Sequence, residues 1–311
     1  MRRGTPRYEH VKPVTRSGIP ADLEEFHVSH PLLEIRPMAG ALGAEIQGVD
    51  LSAALDEATF AAIHTALLER GVIVFREQEL SHEAQVAFAR RFGTPDVHPI
   101  VQGIDGLPEL VRVLKPAGAS ASFGVGWHSD NSFFAEPSLG SVLYGVTIPP
   151  YGGDTLYASM EKAYDALSAP LKELLTGLQA VHSAARAYDP AVTGREKYEG
   201  KAPISYRYSD AVHEENVHPV IRTHPQTGRK SIYVNQMFTQ RIVGMRPHES
   251  DALLRMLYEH CTLPEFTCRL RWQPGTVAVW DNRSVQHYAI DDYREFERLM
   301  FRVTIAGDRP V

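Results

Sequence analysis

The chain is poor in features that mark several large protein classes. Only two cysteines, Cys261 and Cys268, occur among 311 residues. That excludes a disulfide framework and any thiolate-rich zinc or iron–sulfur site, and it suits a reducing cytoplasm. A metal bound here would be held by nitrogen and oxygen. No apolar run approaches the ~18 residues that a membrane-spanning helix requires, so no membrane partner is expected. Positive charge is not in excess either, since the formal net charge is −6. Nucleic acid usually calls for a basic domain, so it is not an expected partner. The opening "MRRGTPRYEHVKPVTRSGIP" is basic but lacks the apolar stretch of a secretory signal, which again points to the cytoplasm.

An apolar fraction of 43% and a charged fraction of 23% are those of an average soluble enzyme, with enough apolar material to enclose a pocket. Residues 1–30, rich in Arg and Pro, read as an extended arm laid on the surface or against a partner subunit, so a homo-oligomer is expected. Residues 31–311 read as one domain, with no repeat and no linker. "LLEIRPMAGALGAEIQGVDL" reads as two short strands around a Gly turn. "DEATFAAIHTALLERG" and "SHEAQVAFARRFG" have helical spacing and Gly stops, with the buried strand "VIVF" between them. Strands predominate in "LVRVL", "GSVLYGV", "DTLYAS", "AVHSAAR", "HPVIRTH" and "SIYVN", interrupted by helices over 159–177 and 247–261. The segment from "CRLRWQPGTVAVWDN" to "RLMFRVTIAG" reads as strands again. This pattern predicts a mainly β sandwich or barrel with helical decoration. The polar stretch 185–215 is long for a loop, and such loops are often lids.

"WHSDN" places His128 and Asp130 two positions apart, on one face of an extended strand. With 14 histidines in the chain, such a pair taken alone is a weak signal and reads first as a polar step in a surface turn. A non-haem iron site takes two histidines and one carboxylate. The best third candidate is His287 in "VWDNRSVQHYAIDDY". In "RLMFRVTIAG", Arg298, Met300, Arg302 and Thr304 share one strand face. Periodicity leaves two readings of that face: arginines in water, or arginines inside a barrel opposite an anion. A guanidinium fork matches a carboxylate bidentately, so a bound dicarboxylate would satisfy the second.

The set "WHSDNSF", "YGGDTLYAS", "YVNQMFTQRIVGM", "VWDNRSVQHYAIDDY" and "RLMFRVTIAGDRP" resembles the taurine dioxygenase and 2,4-dichlorophenoxyacetate dioxygenase family. The similarity runs in the family's order from about residue 31 to the end. It implies a double-stranded β-helix, a jelly-roll, cupin-like core with flanking α-helices. It also implies Fe(II) on His128, Asp130 and His287, with 2-oxoglutarate and O2 as co-substrates. Arg298 and Thr155 match the residues that hold the far carboxylate of 2-oxoglutarate. Arg302 and His98 match those that bind the substrate's anionic group, with the backbone N–H of Asn131 beside it and Phe238 as an aromatic wall.

The activity so implied is hydroxylation of a C–H next to the heteroatom of a small organic anion, with release of succinate and CO2. Alkylsulfonates and alkyl sulfate esters rank first. Aryloxyalkanoates are the alternative, suggested by Phe133 and Phe134. A non-catalytic 2-oxoglutarate or metal sensor is an alternative of another class. A zinc hydrolase on the same triad gives Arg298 no purpose. Two positions depart from the taurine enzyme's pattern: Gly124 replaces an asparagine that contacts the amine, and Val101 replaces a tyrosine beside the metal. Both favour a bulkier, less polar tail than taurine's. The glycines of "SFGVGW" suggest a mobile pocket edge.

Overall fold

The computed structural model describes residues 33–98, 101–119, 124–188 and 210–311. The expected N-terminal arm, residues 122–123 of the expected pocket edge and most of the 185–215 stretch lie outside the described residues. The first half runs β1 (Glu34–Pro37), β2 (Ala44–Gln47), α1 (Glu57–Arg70), β3 (Val72–Phe75), α2 (His82–Arg90), β4 (Leu110–Lys115) and β5 (Gly140–Thr147). Then come β6 (Thr155–Ser159), α3 (Met160–Asp165), α4 (Ala169–Leu175), β7 (Gln179–His182) and α5 (Ala185–Tyr188). The remainder is β8 (Asn216–Pro219), β9 (Ile221–Thr223), β10 (Lys230–Ile232), β11 (Thr239–Ile242), α6 (Pro247–Cys261), β12 (Thr267–Leu270), β13 (Val277–Asp281), β14 (Val285–Ala289) and β15 (Arg298–Ile305).

A seven-stranded sheet has the order β1-β2-β3-β13-β5-β15-β4. Its pairs are antiparallel except β2 with β3. Smaller sheets have the orders β12-β6-β14, β11-β7-β8 and β10-β9. Strand alternation shows why the central strands of the large sheet are apolar on both faces. Ile73, Phe75, Val277 and Val279 face a core shared with Ile63 and Leu67 of α1 and Val86 and Phe88 of α2. Val72, Val74, Ala278 and Trp280 face a second core with Tyr157, Leu270 and Val285 of the β12-β6-β14 sheet. Each large apolar side chain so buried contributes about 1.5–3 kcal/mol. Both faces of the large sheet are therefore covered, which decides the reading of β15. Arg298 and Arg302 are only 7% and 5% exposed, so the solvent-facing alternative is excluded.

Local signals set the helix limits. Asp56 caps α1 by accepting the Thr59 N–H at 2.8 Å, and Gly71 ends it at φ 69°. Any Cβ at Gly71 would lie 2.8 Å from Val285 Cγ2, so close packing reinforces the glycine. The single helix expected over 159–177 is instead two, α3 and α4. Pro170 fits the first turn of α4 but would break a continuous helix, and Ser168 stands at the N-cap position of the restart in an extended conformation. The strand expected in "AVHSAAR" stops at His182, and Ala185–Tyr188 turns helical after Ser183 Oγ accepts the Ala185 N–H. "HPVIRTH" divides at Val220, with β8 pairing β7 and β9 pairing β10. Both cysteines are buried and free. Among the described residues no helix is long and apolar enough to cross a membrane.

Candidate active site

His287 lies on β14, and the segment carrying His128 runs beside it. The two residues exchange backbone hydrogen bonds: His128 N–H donates to His287 O at 3.1 Å, and His287 N–H to His128 O at 2.8 Å. Their rings stand 4.1 Å apart between centroids. Asp130 Oδ1 is 3.7 Å from Nε2 of each histidine. One ligand atom from each of the three buried side chains lies within 4.8 Å of the others. His128 Nδ1–H donates to Gly126 O at 2.8 Å, which leaves the Nε2 lone pair facing Asp130. Two imidazole nitrogens and one carboxylate oxygen, all buried, suit a first-row divalent metal.

Asp130 is held from several sides. Ser141 Oγ donates to Oδ2 at 2.9 Å, and Arg302 Nη1 donates to Oδ1 at 3.3 Å. The Asp130 N–H donates to Asn282 Oδ1 at 3.1 Å, which also accepts Trp280 Nε1–H at 3.0 Å. Burial pushes the Asp130 carboxyl up, but Arg302 and the two imidazoles outweigh it and hold the group well below the usual carboxylate range. Burial, with His128 beside it, draws His287 down to about 3, so its nitrogens stay neutral and able to ligate. The turn before β14 is pinned by Asp281, which accepts from Arg283 Nη2 at 2.6 Å and His224 Nε2 at 3.0 Å.

A pocket next to the triad is lined by Thr155, Tyr157, Trp280, Arg298, Met300 and Arg302. Thr155 lies opposite Ala289 in the β6–β14 ladder, and His287 opposite Tyr157, so these four share one face. Thr155 Oγ1 accepts Trp272 Nε1–H at 2.9 Å. Arg298 forms no ion pair with a carboxylate among the described residues, and its buried Nε has no hydrogen-bond partner. A buried cation without a counter-charge is costly, and a dicarboxylate's far end would supply one.

The other predicted residues surround the triad. His98 Nε2–H donates to Asn131 Oδ1 at 3.0 Å, and Nδ1 accepts the Val101 N–H at 3.0 Å. Both ring nitrogens are thereby engaged within the protein. Burial, reinforced by Arg302, pushes His98 down to about 4. Asn131 adopts φ 56° and donates to Ser138 Oγ at 2.9 Å. Phe238 meets His128 edge-on, with centroids 6.0 Å apart, and packs against Phe133 at 4.9 Å. Gly124 lines the same pocket at φ 76°, and a Cβ there would lie 3.6 Å from His128 Cε1.

Sequence reasoning missed Ser141, Asn282, Trp272 and Tyr293. Ser141 and Asn282 are small polar residues in or beside apolar strands, a context with no periodic signal. Trp272 and Tyr293 stood in motifs already quoted, and only their contacts distinguish them from ordinary core aromatics.

The sequence model of the taurine catabolism dioxygenase TauD, TfdA family matches residues 34–304. An alkylsulfatase of Acinetobacter baylyi is 40% identical over 285 residues, covering 89% of this chain and 86% of that one. An α-ketoglutarate-dependent sulfate ester dioxygenase of Pseudomonas putida is 40% identical over 280 residues, covering 90% and 91%. The crystal structure of a taurine dioxygenase from Burkholderia xenovorans superimposes with a TM-score of 0.76 at 40% identity, covering 90% of this chain and 91% of that one. A match over nearly the whole described fold leads to one conclusion: this chain belongs to the taurine catabolism dioxygenase TauD, TfdA family of α-ketoglutarate-dependent enzymes.

Proposed function

We propose that the protein is an Fe(II)- and 2-oxoglutarate-dependent dioxygenase that hydroxylates the carbon next to the heteroatom of a small organic anion. Alkyl sulfate esters are the favoured class, followed by alkylsulfonates. The observation that carries this reading is a buried His128–Asp130–His287 donor set beside Arg298, a buried cation with no carboxylate partner among the described residues. Relatives named for alkyl sulfates and sulfate esters support the substrate class. The two sheets that share a core are read as a double-stranded β-helix, and residues 31–311 as one domain. A cytoplasmic location and a homo-oligomeric state belong to the same reading.

His128, Asp130 and His287 would hold the metal. When bound, Fe(II) supplies O2 activation coupled to oxidation of 2-oxoglutarate to succinate and CO2. Arg298 and Thr155 receive the far carboxylate of 2-oxoglutarate. Arg302 and the Asn131 backbone receive the sulfate or sulfonate, with His98 acting through its hydrogen bond to Asn131 Oδ1, and this holds the target carbon at a fixed place in the pocket. Phe238 and Phe133 keep water from that side. A carbon carrying both a hydroxyl and a sulfate ester oxygen then loses sulfate, and its O–H proton leaves as the carbonyl forms.

Anaerobic addition of Fe(II) and then 2-oxoglutarate tests this reading. A visible charge-transfer band is expected, and His128→Ala abolishes it. Succinate release across sulfate esters, sulfonates and aryloxy acids is expected to be highest with the first. No band, together with activity retained on zinc, would sink the proposal. Aryloxyalkanoates remain the second reading because Phe133 packs on Phe238 and Phe134 on His98, with the two phenylalanine rings 4.4 Å apart between centroids.

A further inference from the structure

Arg298 is surrounded by aromatic surface. Its Cζ lies over the Trp272 ring and over the Tyr293 ring, 5.7 Å from each centroid. Both distances are within the ~6 Å range of cation–π attraction, which grows when the cation is desolvated. Trp272 and Tyr293 are 3% and 5% exposed, so little water competes. Trp272 makes a second contact, since its Nε1–H reaches Thr155 Oγ1 at 2.9 Å. An indole N–H can only donate. The threonine oxygen therefore accepts from Trp272, and its own proton is left to be donated elsewhere. An anion needs a donor there, whereas a hydroxyl whose proton pointed at another acceptor would repel it.

Tyr293 is fixed from two directions. Lys115 Nζ stands over its ring at 4.1 Å, and Lys115 is opposite Arg298 in the β4–β15 ladder. Lys115 forms an ion pair with Asp291, so its charge is offset, whereas Arg298 has no ion-paired carboxylate among the described residues. The next residue, Asp292, accepts the Gly153 N–H at 2.7 Å, two positions before Thr155. Gly153 sits at φ 68°, and a Cβ there would come within 3.1 Å of Tyr293 Cδ1. A side chain at position 153 would push the ring away, so this glycine permits the approach.

We propose that Trp272 and Tyr293 are positioning residues for the far carboxylate of 2-oxoglutarate: Trp272 sets the Thr155 hydroxyl as a donor, and both rings hold the Arg298 guanidinium in place. This rests on Arg298 and Thr155 being the carboxylate clamp. Neither aromatic touches the reacting atoms.

The test compares 2-oxoglutarate with 2-oxovalerate, which carries a methyl where the far carboxylate stands. Dissociation constants are measured by calorimetry on Mn(II)-loaded full-length protein, without turnover. Wild type is expected to prefer 2-oxoglutarate by on the order of 100-fold or more, because a site built for a polar group rejects its apolar analogue. Trp272→Phe keeps a ring and removes the donor. It is expected to weaken 2-oxoglutarate about 10-fold, the size of one lost hydrogen bond to a charged network, and to leave 2-oxovalerate unchanged. Tyr293→Leu is expected to narrow the preference roughly 3- to 10-fold through Arg298 alone. Adding Trp272→Phe to Thr155→Val should produce less than its single effect, since the partner oxygen is gone. Equal weakening of both acids, or an unchanged preference in both variants, overturns the inference. A wild type with no preference would instead overturn the clamp reading itself.

Discussion

Arg302 Nη1 donates to Asp130 Oδ1 at 3.3 Å, and that same oxygen lies 3.7 Å from Nε2 of His128 and of His287. The guanidinium thus balances the carboxylate's charge at the point where a metal would bind. It repels a dication while attracting an anionic substrate. Arg302→Leu is expected to raise divalent-metal affinity several-fold and to raise the substrate KM by 100-fold or more. Breaking a buried pair costs about 3–5 kcal/mol, so the metal-free variant should melt lower and recover more on Mn(II) addition than wild type does. Calorimetry and melting curves with and without Mn(II) check both halves.

Ser141 accounts for the other carboxylate oxygen. Its hydroxyl donates to Asp130 Oδ2 at 2.9 Å, which leaves Oδ1 as the oxygen toward the imidazoles. Partners of this kind typically change metal affinity 10- to 100-fold. Ser141→Ala is expected to lose about that much Mn(II) affinity, measured by calorimetry, while Ser141→Thr keeps most of it. Unchanged affinity in the alanine variant would mean that the hydroxyl does not orient the carboxylate.

Acid sensitivity follows from His182, which is wholly buried between Ser132 Oγ at 3.2 Å and Thr239 Oγ1 at 3.4 Å. Burial, with His218 close by, draws it down to about 3. The unfolded chain therefore binds this proton from about pH 6.5 downward while the folded chain does not. Its contribution is present above pH 6.5 and is lost as pH falls toward 3, with a slope of about 1.4 kcal/mol per pH unit for one proton. Urea unfolding of wild type and His182→Asn between pH 4.5 and 7 is expected to show a shallower acid limb in the variant.

Gly124 controls room beside the proposed metal ligands. Asparagine tolerates positive φ better than most residues, and a side chain starting 3.6 Å from His128 Cε1 would enter the pocket. Gly124→Asn is expected to lower kcat/KM for long-chain sulfate esters at least 10-fold and to affect the shortest esters least. Succinate release across a chain-length series gives the answer, and a uniform loss would remove Gly124 from the account of specificity.

Much of this fold could be read locally, because caps and turn glycines act over a few residues. Asp56 and Gly71 bound α1 as expected. The exceptions also have local causes, Pro170 within the expected long helix being the clearest. Function was less legible. His128 and Asp130 form an ambiguous pair, and their partner His287 is brought in by a backbone pairing that no spacing rule anticipates. The alternation of β15 shows that its two faces differ, but not that helices cover one and a second sheet the other. Ser141 gave no signal, since one hydroxyl in an apolar strand is unremarkable until its acceptor is known.

The reciprocal main-chain bonds between His128 and His287 set the two backbones side by side without help from an ion. A receptacle set in this way admits any divalent ion that tolerates two nitrogens and one oxygen. Intrinsic affinity for such donors rises from manganese through iron to copper, and zinc also outranks iron. The donor set alone therefore favours copper and zinc over the proposed Fe(II). Occupancy by iron becomes a matter of which ions are on offer as the chain folds, and purified protein would carry the metal history of its host.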